Sequence, residues 1–155
     1  MLMVAFAAAL LNQPVLPARR CDAPSPCLTR TAQPHPAVQD GAVLIGMGET
    51  MVISLDDNGG NPQLVATGDE AKARKLQPGE LRIEMSGGGG TMLSIESNHG
   101  QWLNYRARMG LGGGQRTSVC TVMAGKSAFE SWGQSIRGLT LDQFTPAPQG
   151  QMVCR

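Results

Sequence analysis

ELRIEMSGGGGTMLSIESNHGQWLNYRARM, residues 80–109, is the stretch on which the fold turns. Leu81, Ile83 and Met85 alternate with Arg82 and Glu84. Leu93 and Ile95 alternate with Ser94 and Glu96. Leu103, Tyr105, Ala107 and Met109 alternate with Trp102, Asn104, Arg106 and Arg108. A period of two puts one set on a buried face and the other toward water, which is the pattern of half-buried strands. Gly87–Gly90 and Ser97-Asn98-His99-Gly100 separate the three runs as turns.

The same period extends outward. Met51, Ile53 and Leu55 alternate with Val52 and Ser54, and the run stops at Asp56-Asp57-Asn58-Gly59-Gly60-Asn61-Pro62. Gly110–Gly114 breaks the chain after Met109. Further strands fit Thr117–Met123, Ser127–Trp132, Leu139–Phe144 and Gln151–Cys154. One segment reads as helix. Thr67-Gly68-Asp69-Glu70 matches a capping box, and Ala71–Leu76 follows until Pro78-Gly79 ends it. Short strands between Gly-rich turns predict an all-β protein, an antiparallel β-sandwich with one short helix at most. There is no internal repeat.

Composition narrows the class. Hydrophobic residues make up 41% of the 155, enough to fill the core of one ordinary domain. A net charge of +1 provides no global field for nucleic acid or anionic lipid. Met1–Leu11 is an uncharged apolar run, interrupted afterwards by Asn12, Pro14 and Pro17. It is too short for a membrane span and suits the apolar part of a signal peptide, although no Lys or Arg precedes it. The expected organisation is a signal peptide at 1–18, a Pro-rich leader at 19–39 and a sandwich at 40–155. Mature protein without a membrane span, in the periplasm or secreted, is the corresponding expectation.

Cys21, Cys27, Cys120 and Cys154 all lie beyond the apolar run. An even number in a small exported chain points to disulfides, and three pairings are possible. Cys21–Cys27 with Cys120–Cys154 is the favoured set. The first pair shares the Pro-rich segment, and the second brackets the last part of the domain. Closing the second loop stabilises by about 3–4 kcal/mol in the chain-entropy model. No CxxC spacing occurs, and His35 and His99 are remote from every cysteine in sequence, so no metal ligands are assigned.

From 85 to 155 the chain resembles a group of uncharacterised exported bacterial proteins, immunoglobulin-like in kind. The resemblance rests on Thr91–Met109, on TSVCTV (117–122), FESW (129–132) and IRGLTLDQF (136–144), and on the final Cys154. It implies a sandwich and a Cys120–Cys154 pair. It implies no activity, because the group carries none. Trp132 falls between the two cysteines as the core tryptophan of an immunoglobulin domain does, but the cysteine spacing is too short for that family's inter-sheet bridge.

The chemistry-bearing motifs are sparse. Ala124-Gly125-Lys126-Ser127 ends like a phosphate-binding loop, yet Cys120 stands where its first glycine belongs, so Gly125-Lys126 reads as a hairpin turn. The glycine runs read as loop tips rather than anion cradles, since neither opens a helix. His99 is the one histidine after the leader and reads as a polar turn residue. Met51, Met85 and Met109 fall on apolar phases, as core residues rather than copper ligands. The strongest binding candidate is the polar phase Trp102, Asn104, Arg106 and Arg108. A Trp beside two Arg can stack on a sugar or aromatic ring and pair with an anion. The competing reading is a solvated face whose Arg stems cover apolar surface. The pattern therefore favours a non-enzymatic binding or structural protein, without cofactor, contacting another envelope protein or a small ligand. The alternative class is a small hydrolase or copper carrier built around His99.

Overall fold

The structure is a computed structural model and describes residues 36–155. The signal-peptide reading, nearly all of the leader, and Cys21 and Cys27 lie outside the described residues. Ten strands and one helix follow in order: β1 (Ala37–Gln39), β2 (Ala42–Gly46), β3 (Thr50–Ser54), β4 (Gln63–Thr67), α1 (Gly68–Ala73), β5 (Glu80–Gly87), β6 (Thr91–Ser97), β7 (Trp102–Met109), β8 (Arg116–Thr117), β9 (Ser127–Trp132) and β10 (Gly138–Ala147). They form two five-stranded sheets, β1-β2-β10-β7-β8 and β4-β3-β5-β6-β9, antiparallel throughout. The all-β sandwich is thus the observed architecture.

The alternation works as read. Leu81, Ile83, Met85, Leu93, Ile95, Leu103, Tyr105 and Ala107 are buried in one cluster, with Val43, Ile45, Leu139, Leu141 and Phe144 from the other strands. Tyr105 and Phe144 stack with ring centroids 5.9 Å apart. Each fully buried Leu or Ile contributes about 1.5–3 kcal/mol relative to exposure, so this two-sided cluster dominates the stability.

Three elements went unread in the sequence. β1 and β2 form a hairpin three residues ahead of the expected start at Asp40. Their two-residue loop, Asp40-Gly41, has φ of 49° and 73°, which is the primed turn that Asp-Gly favours. β4 was missed because Leu64 is exposed and Val65 half-buried, so no clean alternation marks it. The expected strand over 117–123 is split. Only Arg116–Thr117 pair with β7, and Val122 rejoins it through a bridge to Leu103. Between them the backbone leaves β7 and pairs with the C-terminal residues instead. Gln151–Cys154 accordingly forms no ladder strand, only the Cys120↔Cys154 bridge.

The helix is present, but its capping box is not. Thr67 makes no side-chain cap bond. It is the last residue of β4, paired with Met51, so the strand sets where the helix begins. Ala71 packs with Val52, Ala66 and Leu76 in a second apolar cluster. Arg82 closes the other end, donating from Nε to Ala71 O at 2.9 Å and from Nη2 to Arg74 O, and it pairs with Glu96. Arg74 grips the buried Glu80 carboxylate with Nη2 at 2.8 Å and Nε at 3.2 Å, and Gln77 N donates to it at 2.8 Å. The Arg74 bonds above all, then the Gln77 amide, hold Glu80 below the ordinary carboxylate range against the opposing effect of burial. No helix among the described residues is long and apolar enough to cross a membrane.

Two expectations follow. Leu81→Ala destabilises by about 2–5 kcal/mol in urea unfolding, and Phe129→Ser by less than about 0.5 kcal/mol; Leu81 is fully buried and Phe129 is 65% exposed. The lowered Glu80 pKa makes its stabilisation complete above the ordinary carboxylate range, and that stabilisation is lost as pH falls through the folded-state value. The melting-temperature gap between the wild type and Glu80→Gln should therefore stay constant from neutral pH down to the ordinary carboxylate range and narrow as the pH is lowered further.

Candidate arginine-rimmed pocket

The polar phase of β7 lies on the outer face of the first sheet. Trp102, Asn104, Arg106 and Arg108 are all half-buried, while Leu103, Tyr105 and Ala107 between them face the core. What the sequence did not reveal is the carboxylate that organises this face. Asp142 on β10 sits opposite Arg106 in the register. Arg106 grips it with two bonds, Nε to Oδ1 at 2.7 Å and Nη2 to Oδ2 at 3.1 Å, and Arg108 Nη2 donates to Oδ2 at 2.6 Å. These bonds hold the Arg106 guanidinium above its ordinary pKa. Asp142 itself is buried, so the pair is a structural clamp as well as a surface feature.

Beside the clamp the sheet opens. β10 carries one extra residue between Asp142 and Thr145 relative to β7, a bulge with Gln143 at φ 53°. On the other edge of β7 the neighbouring strand has departed between Thr117 and Val122. Together the two irregularities leave an open pocket of about 300 Å³ over Asn104 and Arg106. Arg116, Gln143, Thr145 and Arg155 complete its polar lining, and the Cys120 and Val153 region forms one wall.

That wall is the C-terminal strap, 148–155. Val119 N donates to Arg155 O and Arg155 N to Val119 O, both at 2.9 Å, and Thr121 N donates to Val153 O at 3.0 Å. The Thr121 hydroxyl accepts from Val153 N at 3.1 Å and lies 2.9 Å from Asn104 Oδ1. The Cys120–Cys154 disulfide closes a loop with a sequence separation of 34. Pro148–Met152 is exposed and Val153 half-buried. These hydrogen bonds and the Cys120–Cys154 bond are what hold the strap against 119–121 among the described residues.

The charge balance of the face is one-sided. Arg106, Arg108, Arg116 and Arg155 stand against the carboxylate of Asp142 on this face and that of Glu130 behind the wall, where it accepts from Cys120 N. Neither Arg116 nor Arg155 forms a side-chain ion pair or hydrogen bond among the described residues. Trp102, the aromatic member of the expected site, lies on the same face but does not line the pocket. The structure thus places Asn104 and Arg106 in the pocket, Arg108 behind it on Asp142, and adds Arg116 and Arg155. Neither addition stands in a period-two relation to β7. Arg116 arrives through a two-residue pairing and Arg155 through the disulfide, and sequence spacing carries no signal of either.

His99 is occupied elsewhere. It is buried, with Nε2 3.1 Å from Asp56 O and Nδ1 accepting from Gln101 N at 3.2 Å. Both ring nitrogens therefore join two turns, and among the described residues no hydroxyl or carboxylate side chain hydrogen-bonds to the ring. Ser97 Oγ receives the His99 backbone N–H instead. Met51 and Met85 are fully buried among aliphatic side chains. Among the described residues no three His, Cys, Asp or Glu side chains converge as a metal site. Behind the pocket, Tyr105 Oη is buried without a hydrogen-bond partner of good geometry. Burial first, and the nearby Glu130 carboxylate second, raise its pKa well above the usual phenol value.

No family model matches this sequence, and neither a curated protein nor a solved structure is significantly similar to it.

The clamp yields a direct expectation. Asp142→Asn leaves two guanidiniums facing each other without an anion, and should lower the melting temperature by roughly 3–8 °C. An unchanged thermal midpoint would mean that the pair contributes nothing to the fold.

Proposed function

We propose that this chain is an exported, non-enzymatic binding protein that takes an anionic group, a carboxylate or a phosphate, into the pocket over Asn104 and Arg106. The observation that carries the reading is the pair Arg116 and Arg155. Two arginines with no side-chain partner among the described residues line a concave polar site, where they are free to act on a ligand. Planar guanidinium matches carboxylate and phosphate oxygens with paired bonds. Asn104 adds an amide whose Oδ1 is used by Thr121 and whose NH2 has no partner among the described residues. A volume of about 300 Å³ is at the lower end for small-molecule sites, so a compact group or an acidic side chain of an envelope partner fits better than a large cofactor.

The fold alone assigns no function. Export is supported by the uncharged apolar run Met1–Leu11 and by the Cys120–Cys154 bond, which persists in oxidising compartments such as the periplasm or the cell exterior. An immunoglobulin-like kinship accords with the two packed sheets. The hydrolase alternative loses its base, because both nitrogens of His99 are engaged with backbone.

The test is a titration of the full chain, at low ionic strength, with inorganic phosphate and separately with succinate. Binding is read by calorimetry and by amide chemical shifts. Arg116→Ala with Arg155→Ala should weaken binding roughly ten-fold or more, since charge-assisted bonds are lost, and should shift the melting temperature by less than about 2 °C, as exposed residues away from structural contacts do. Saturable binding by the wild type that survives this double substitution would move the site elsewhere. Lack of binding to both anions would overturn the reading.

A further inference from the structure

We infer that forming the Cys120–Cys154 bond is what makes the pocket competent, so that the site switches on when the protein is oxidised. This rests on the anion-binding reading above and adds its regulation. Cys120, Val153 and Arg155 line the pocket; Cys120 is held from the sheet side, its N–H donating to Glu130 Oε1 between the buried Val119 and Val122, whereas Val153 and Arg155 are held by one short antiparallel contact between 119–121 and 153–155. Among the described residues no other hydrogen bond or ion pair anchors the strap. Its exposed residues reach no apolar cluster, and Val119 and Val122, the buried residues nearby, belong to the other side of the contact. The reduced chain keeps its two-sheet core, because that core contains no strap residue, but it loses the force that holds Arg155 at the rim.

A second consequence lies inside the pocket. The Thr121 hydroxyl is tied to both Val153 and Asn104. Detaching the strap removes the two bonds by which Val153 fixes the Thr121 hydroxyl and leaves that hydroxyl free to turn beside the Asn104 amide. Cys154 is exposed, so a thiolate can reach its sulfur. In the forward step a disulfide-class oxidant accepts two electrons and leaves as a dithiol. The two Cys Sγ atoms join and give up their two protons. A dithiol reductant reverses the step through a mixed disulfide. A chain made reduced inside the cell would then acquire its binding site only after reaching an oxidising compartment.

The experiment compares three samples of the full chain in the same phosphate titration: oxidised, treated with dithiothreitol, and Cys120→Ser with Cys154→Ser. The serine variant leaves Cys21 and Cys27 untouched and isolates the bond in question. The expected result is that phosphate binds the oxidised chain and binds both others roughly ten-fold or more weakly. Amide exchange should meanwhile accelerate at 149–155 and stay slow at Ile83 and Leu141. Equal affinity in all three samples overturns the switch and leaves the anion site standing. No binding by the oxidised chain overturns the anion site itself, and the switch with it. Loss of slow exchange at Ile83 and Leu141 on reduction also overturns the switch, because the bond would then be holding the core rather than one wall of a pocket.

Discussion

A five-stranded sheet with one apolar face is stable only when another dry surface lies against that face. Here each sheet serves the other. Met51, Ile53, Leu81, Ile83, Met85, Leu93 and Ile95 from one layer meet Val43, Ile45, Leu103, Tyr105, Ala107, Leu139 and Leu141 from the other. This mutual burial explains why the outer faces are free to be polar. It also explains why the chain crosses repeatedly between layers, through the turns after β2, β6, β8 and β9. Where a crossing segment cannot stay in register with its own sheet, the sheet opens. The segment after β8 is that case, since it must leave β7 and reach β9 in the opposite layer.

The pocket is the geometric residue of that constraint. β7 has eight residues, but β8 accompanies it for only two of them, and β10 meets it with a bulge. A regular ladder on both sides would have filled the space with neighbouring side chains. The gap is edged instead by the strap, and the strap lacks the buried apolar residues that anchor β2, β3, β5, β6, β7 and β10. A covalent bond is therefore the physical means of finishing this edge, and it stands where non-covalent packing is thinnest.

Period two exposed the faces of β5, β6 and β7 because each alternates a charged or polar residue with a large apolar one. It missed β2, whose Val43, Leu44 and Ile45 are all buried and so do not alternate, and it missed β4, where Leu64 is exposed. The Asp40-Gly41 turn was legible as a hairpin signal but has only three residues before it. In the site, Asn104, Arg106 and Arg108 were legible as one face. Asp142 was not, although it falls on the polar phase between the apolar Leu141 and Phe144, because which carboxylate meets which arginine depends on strand order. Arg116 and Arg155 were beyond reach for a stronger reason. Their positions depend on a strand of two residues and on a bond between cysteines 34 apart, neither of which leaves a periodic trace.

A solvated outer face predicts arginines whose stems cover apolar surface and whose charges are paired or dispersed. Arg106 and Arg108 meet that description in part, since their shared carboxylate is buried and the clamp ties β7 to β10. Arg116 and Arg155 do not. They are exposed and have no side-chain partner among the described residues, and they line a concavity that already contains a partly neutralised Arg106. Like charges around a hollow repel one another, an effect that solvent and salt screen at exposed side chains such as these. On the reading proposed above, the partner of these guanidiniums comes from outside the chain.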